Sequence, residues 1–213
     1  MEKEQLVIKK KFWEEKYLSN NTPWDIGEPA PAFVKYFSRV MPWSDSTTLK
    51  IAVLGCGRGH DAFYVANLSP NVEVHGFDYS ESAINFCNCQ KEENKLKNIF
   101  FHTADFFDLP KDEKWKSTFD IVLEHTSFCA IAPSHRKQYI ETIKYLLRTG
   151  GKLIGLFLIR PLELGGPPFG CTKEEIGEFL KYDFIETEVL IHEHCPHTFK
   201  AEEYFGVFEK LGK

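Results

Sequence analysis

Apolar and polar positions follow two different periods along the chain. Residues 4–18 place Leu6, Phe12, Trp13 and Tyr17 partly on one face, which predicts a helix. The stretch SNNTPWDIGEPAPAF then crowds Asx residues, prolines and glycines together and predicts a loop. A second helix is expected over 31–37, with Pro31 tolerated in its first turn, and MPWSDST predicts a turn. From Lys50 the pattern changes. KIAVL, VEVHGFD, NIFFHTAD, FDIVLEH and GKLIGLFLI read as strands, the last entered through Gly150-Gly151. HDAFYVANL and residues 80–94 and 134–147 read as helices between them, and a charged linker precedes FDIVLEH. A helix from Thr172 to Leu180 carries Glu174 and Glu175 in its first turn, where they suit the helix dipole. FIETEVLI and EYFGVFEKL are the last two strands and meet without a helix, so the final strand is expected to run antiparallel.

This alternation predicts an α/β fold: an open Rossmann-like sheet of seven strands with helices on both faces. The helices of residues 1–40 fall outside it, as packing or as a cover over the ligand edge. No repeat or boundary is visible, so residues 1–213 are expected to form a single domain.

Composition narrows the function classes. Apolar content of 43% and charged content of 27% are those of an ordinary globular protein. Nineteen phenylalanines thicken a core or line an apolar pocket. A net charge of -5 without a Lys/Arg stripe argues against nucleic acid. MEKEQLVIKKKFW has no apolar segment of signal-peptide length and no run reaches membrane-spanning length, so a cytoplasmic protein without membrane association is expected. The scattered Cys56, Cys87, Cys89, Cys129, Cys171 and Cys195 read as reduced thiols.

The chemistry concentrates where strands end. Gly55-Cys56-Gly57-Arg58-Gly59 closes the first sheet strand, and bare glycine backbone permits a tight turn and close approach of a ligand. Asp78 ends the second strand, where a carboxylate can accept from both ribose hydroxyls of an adenosine. Asp105, following Ala104, ends the third; it faces an adenine or caps a turn. The G-x-G-x-G spacing is followed by His60-Asp61, and Asp61 repels a diphosphate but suits a cationic amine. S-adenosylmethionine carries ribose, adenine and ammonium without phosphate, so charge favours it over NAD.

VLGCGRGHD followed by VHGFDYSESA resembles the class I S-adenosylmethionine-dependent methyltransferases. TPWDIGEPAPAF, FCAIAPSHR and GGPPF are similar to the thiopurine methyltransferase superfamily, and within it to the thiol and halide (thiocyanate) methyltransferase branch, over residues 12–211. The resemblance implies a seven-stranded sheet with an antiparallel last strand and an N-terminal segment, residues 13–33, that closes over the cofactor. It implies Trp24 beside the methionine end, Gly55, Gly57 and Asp61 around the amino-acid portion, Asp78 at the ribose, Asp105 and Phe106 at the adenine, and Glu124 just under the sulfonium. Trp13, Cys56, Tyr79, Ser80 and Ala104 are further cofactor-binding candidates, and no metal is implied.

A thiol acceptor, with a pKa of about 8.5, must lose its proton, and a histidine suffices as base. His125, at the end of the fourth strand, is the first candidate; the alternative is a histidine satisfied by a backbone carbonyl. Thr126 and Ser127 are placed to orient a small anion, Phe128 and Cys129 to face the core, and His135 to lie at the surface. Arg160 is expected to hold an anion or to pair with Glu163 or the cover. Trp24, Phe33, Phe37 and Phe169 are expected to form an apolar wall, with 164–169 as the rim. His192, His194, Cys195 and His197 are dense enough to raise zinc or copper, but their spacing lacks a rigid pattern. A loop over the substrate pocket, with His197 in it, is favoured and no metal is expected.

The reading is methyl transfer from S-adenosylmethionine, by in-line displacement, to a small thiol, sulfide, thiocyanate or halide, by a monomer. The alternatives are O-, N- or metalloid methylation, a cofactor-binding regulator without catalysis, a protein substrate, and a dinucleotide oxidoreductase.

Overall fold

The computed structural model describes residues 10–40, 48–192 and 201–212. Seven strands form one sheet: β1 (Leu49–Leu54), β2 (Val72–Asp78), β3 (Ile99–Thr103), β4 (Phe119–His125), β5 (Leu147–Ile159), β6 (Phe184–His192) and β7 (Glu202–Lys210), in the order β3-β2-β1-β4-β5-β7-β6. β1 to β5 pair in parallel, and β7 lies antiparallel between β5 and β6, as the hairpin pattern predicts. Ile51 to Leu54 of β1 are buried because helices cover both faces, so a central strand reads as an unbroken apolar run. Strand order reverses at β1, between β2 and β4, which opens a crevice at their carboxyl ends.

The helices are α1 (Lys10–Leu18), α2 (Pro31–Val40), α3 (His60–Leu68), α4 (Glu81–Glu93), α5 (Ser127–Ala130), α6 (Arg136–Leu146) and α7 (Lys173–Leu180). Ser80 caps α4 by accepting from the Ala83 N–H, and Thr172 caps α7 by accepting from that of Glu175. One face of the sheet buries Trp115, Phe119, Tyr139, Ile143 and Leu180. The other buries Val65, Ile99 and Phe205 together with Ala32, Phe33, Tyr36 and Phe37 of α2.

That packing corrects one expectation. α2 belongs to the core, and Phe33 and Phe37 are fully buried instead of forming a pocket wall. Two other segments differ from the pattern. The expected charged linker contains two 3-10 turns, Phe106–Lys111 and Glu113–Trp115, whose starts are capped by Asp105 and Asp112. β5 starts at Leu147, four residues before Gly151, because Leu147 already pairs with Phe119. The cysteines of the described residues are free thiols, and none of the described helices is long and apolar enough to cross a membrane. Residues 193–200, with His194, Cys195 and His197, lie outside the described residues, as does the side chain of His192.

Candidate active site

A cavity of about 550 Å³ opens at the carboxyl ends of β1, β2 and β4. Its floor is the glycine loop. Gly55, Gly57 and Gly59 have φ of +62°, +53° and +79°, a region that side chains rarely adopt. A Cβ on Gly55 would sit 2.2 Å from the Ser127 hydroxyl, and one on Gly57 would sit 2.8 Å from that of Tyr17. The bare backbone is therefore demanded by conformation and by crowding together.

Asp78, at the end of β2, is buried and accepts from the N–H groups of Gly57 and Ser80, each at 2.8 Å. Burial pushes its pKa up, and those N–H groups offset only part of the rise. Asp105 accepts from the Phe107 N–H at 2.8 Å and from the Tyr79 hydroxyl, so it is a turn cap that also lines the cavity. Phe106 and Phe107 follow it along the same wall.

His125 closes β4. Its Nδ1 lies 2.7 Å from Asp61 Oδ2, and the other Asp61 oxygen accepts from the Ala30 N–H at 2.8 Å. Burial pulls the imidazole pKa down, but the negative charges of Asp61, Glu203 and Glu124 outweigh it and hold it above 6.5. Phe33 packs edge-on against the ring. Thr126, with φ of +63°, turns the chain into α5, and its hydroxyl donates to the His125 carbonyl at 2.7 Å.

The roof comes from α1 and the loop behind it. Trp13 and Trp24 meet edge to face at 5.3 Å, and Trp24 also packs on Tyr17. Asp25 accepts from the Gly27 N–H and lies 2.9 Å from His60 Nε2. Glu14 of α1 accepts from Ser80 Oγ at 2.6 Å and from the Ser82 hydroxyl, which ties the roof to the start of α4.

Of the residues singled out from sequence, Trp13, Trp24, Gly55, Cys56, Gly57, Asp61, Asp78, Tyr79, Asp105, Phe106, His125 and Thr126 line this one cavity. Others do not, for definite reasons. Glu124 is fully buried below the floor, where it accepts from the Phe128 N–H at 2.7 Å and from the Tyr139 hydroxyl. Ser80 is consumed as the α4 cap and by Glu14. Ala104 continues the ladder, its N–H donating to the Asp78 carbonyl at 2.8 Å. Phe33 is in the core. Arg160 Nη1 donates to the Pro168 carbonyl at 3.0 Å and the Phe169 N–H donates to the Cys129 carbonyl at 2.6 Å, so both brace the rim from outside. Cys129 is buried, as expected of the core, and also lines the cavity; His135 is half-buried and lines it too.

Sequence reading missed Tyr17, Asp25, Arg58 and His60, all of which also line it. Asp25 and Arg58 stand inside quoted motifs, Asp25 next to Trp24 and Arg58 between two glycines of the loop. His60 follows the glycine loop directly and stands at the start of α3, whereas Tyr17 is brought in only by the folded roof.

The lining bears on the ligand. Asp25, Glu28, Asp61, Asp78, Asp105 and Asp108 face two permanent cations, Lys16 and Arg58. Such a surface repels a dinucleotide pyrophosphate and attracts a ligand with positive charge. An aromatic roof, a glycine floor and carboxylates at the ends of β2 and β3 fit S-adenosylmethionine.

The comparisons with known proteins agree. The chain matches the thiopurine S-methyltransferase family over residues 8–210. It is 32% identical over 202 residues to a probable thiol methyltransferase 2 of Arabidopsis thaliana, covering 93% of this chain and 84% of that one. It is 34% identical over 204 residues to thiocyanate methyltransferase 1 of Brassica oleracea, with the same coverage. The structure of Burkholderia thailandensis 1,6-didemethyltoxoflavin-N1-methyltransferase superposes with a TM-score of 0.74 at 16% identity, covering 95% of this chain and 87% of the other, a likeness of fold. The chain therefore belongs to the thiopurine S-methyltransferase family and is an S-adenosylmethionine-dependent methyltransferase with a small-molecule acceptor.

Proposed function

We propose that the acceptor is the sulfur of a small thiol or hydrosulfide, with thiocyanate and halides as further acceptors, and that His125 takes the thiol proton. The His125–Asp61 pair on the cavity wall carries this reading. The names of the thiol and thiocyanate methyltransferases at 32% and 34% identity support the acceptor class.

S-adenosylmethionine supplies, when bound, a methyl group already activated on a sulfonium. What remains for the chain is alignment, water exclusion and one proton. Trp13, Trp24 and Tyr17 shield the cavity from bulk water. Asp61 orients the imidazole through Nδ1 and stabilises the imidazolium that forms when a thiol gives up its proton. A basicity held above the ordinary imidazole value brings His125 closer to a thiol near 8.5, which favours the transfer. Leu158, Pro167 and Pro168 give the cavity an apolar edge, which suits a compact, soft acceptor.

The test uses His125→Gln with two kinds of acceptor. A thiol must be deprotonated, whereas thiocyanate and iodide have no proton to lose at neutral pH. Headspace detection of methylated products should show thiol turnover lowered roughly 10²- to 10⁴-fold, with its pH profile flattened, while thiocyanate turnover changes only several-fold. An unchanged thiol rate and profile defeats the base assignment. Methylation of an amine or phenol with no product from any thiol defeats the acceptor assignment.

A further inference from the structure

We propose that Cys56 and Cys87 are a redox-modification site beneath the cavity floor: a small cationic disulfide oxidises them to a Cys56–Cys87 disulfide, and that bond and the cofactor oppose each other. The opposition rests on the cofactor occupying the cavity; the disulfide itself does not.

The fold makes the pair. Cys56 stands in the glycine loop after β1, and Cys87 lies near the middle of α4. Both sulfurs gather on one carbonyl. The Cys87 thiol donates to the Gly57 oxygen at 3.3 Å, and Cys56 Sγ lies 3.9 Å from the same atom. Two glycines leave room for them. A Cβ on Gly59 would sit 3.0 Å from Cys87 Sγ, one on Gly76 would sit 2.9 Å from Cys56 Sγ, and the Phe101 ring comes within 3.2 Å of both positions. The two sulfurs therefore share a niche behind the loop. A hydrogen bond with Cys87, together with burial, pushes the Cys56 thiol up, so Cys56 rests protonated until an oxidant reaches it. Cys129, another lining thiol, differs: it donates to the Thr126 carbonyl at 3.1 Å while Cys171 donates to that of Leu158 at 3.2 Å, so those two turn to separate acceptors.

Access assigns the order of events. Cys56 is half-buried and lines the cavity, whereas Cys87 is fully buried. Cys56 Sγ attacks one sulfur of the reagent, which gives a mixed disulfide and one free thiol. Cys87 Sγ then attacks Cys56 Sγ, the internal S–S bond forms, and the second thiol leaves. The two cysteine protons end on the two released thiols, and the reagent gains the two electrons that the cysteines lose. The surplus of carboxylates around the cavity favours a reagent with positive charge.

The loop carries the effect to the cofactor. Gly57, whose carbonyl receives the Cys87 thiol, donates its own N–H to Asp78 at 2.8 Å. Closing the S–S bond removes the thiol donor and draws Cys56 toward α4. Gly55 and Gly57, at φ of +62° and +53°, let the loop give on either side. The Gly57–Asp78 bond then shifts with the floor. The coupling is reciprocal: the factor that the disulfide takes from cofactor affinity is the factor that bound cofactor takes from the tendency to oxidise.

Cystamine is the probe, with anionic dithiodipropionate as its charge control. The protein is incubated with each at mildly alkaline pH, with and without S-adenosylhomocysteine, then mapped by peptide mass and titrated calorimetrically. Cystamine should join Cys56 to Cys87 faster than the anionic reagent does, and S-adenosylhomocysteine should slow the reaction. The oxidised protein should bind S-adenosylhomocysteine roughly ten- to hundredfold more weakly until dithiothreitol restores it. Cys87→Ala should stop at a mixed disulfide on Cys56, Cys56→Ser should leave Cys87 unmodified, and Cys89→Ser, at an exposed position of α4, should behave as wild type. Should one variant of the pair fail to fold, the other decides together with the wild-type map. Absence of a Cys56–Cys87 peptide, a first adduct on Cys87, or an oxidised protein of undiminished affinity overturns the proposal. If reduced wild type does not bind S-adenosylhomocysteine, it is the assignment of the cavity to the cofactor that fails, and the disulfide stands or falls on the peptide map.

Discussion

At the scale of single residues, Glu124 shows how position changes a role. It sits one residue before His125, yet strand alternation turns it away from the cavity into the core. Burial raises its pKa from 4.5 to about 7, only partly offset by the Phe128 N–H and the Tyr139 hydroxyl. The folded chain thus holds this proton more tightly than the unfolded one. The associated stability is complete below about pH 4.5 and is lost as pH rises through 7, roughly 3 kcal/mol in all. Glu124→Gln keeps the shape and the hydrogen bonds without the titration, because Tyr139 can accept from the amide. Denaturant melts at pH 5 and pH 8 should show the variant gaining on wild type by about that amount at the higher pH. A difference between the two proteins that does not change with pH counts against the buried proton.

At the scale of elements, the roof depends on a few polar ties. α1 has one buried residue, Tyr17, and too small an apolar face to dock by burial alone. Glu14 substitutes for that face. Burial pushes its pKa up, but the hydroxyls of Ser80 and Ser82 and the amides at 81 and 82 outweigh it, so the carboxylate is held ionised. Glu14→Ala removes the shared acceptor and should cost about 1–2 kcal/mol of local closure. Hydrogen exchange in residues 10–18 should then speed up roughly five- to thirtyfold while β1 and β4 keep their protection. Unaltered exchange would mean that Trp13 and Trp24 alone hold the roof.

At the scale of the whole molecule, two groups act against each other as pH changes. His75 Nδ1 lies 3.0 Å from His102 Nε2 across β2 and β3, with the rings stacked at 5.3 Å and Phe77 and Trp115 around them. Burial, with the charges of His75, Lys114 and Lys91, lowers His102 to about 4; burial also lowers His75, against the pull of Glu73. A histidine kept neutral by the fold adds stability that is complete above about 6.5 and disappears as pH falls through 4. Glu124 gains over much of the same range, so wild type should show a shallow profile between pH 4.5 and 7. Glu124→Gln should expose the histidine loss, a fall of about 2 kcal/mol on acidification in that range, and His102→Gln should expose the opposite slope. Parallel profiles for wild type and both variants would contradict this opposition.

Much of this was legible beforehand because it is local. Seven apolar runs, the glycine loop and the acids at the ends of β2 and β3 follow from backbone conformation and from period, which neighbouring residues fix. The choice among carboxylates was not legible. Asp61 was read as suited to a cationic amine, and only the folded chain shows both of its oxygens already engaged, one by the Ala30 N–H and one by His125. Glu124, Ser80, Phe33, Arg160 and Phe169 were adjacent to the right positions but faced the wrong way or were already bonded. The sequence by itself determined the strands, the order of their chemistry and the family. Tertiary structure decided which side chains share one cavity and which still have an unmet hydrogen bond, because desolvation and partner choice depend on residues dozens of positions apart.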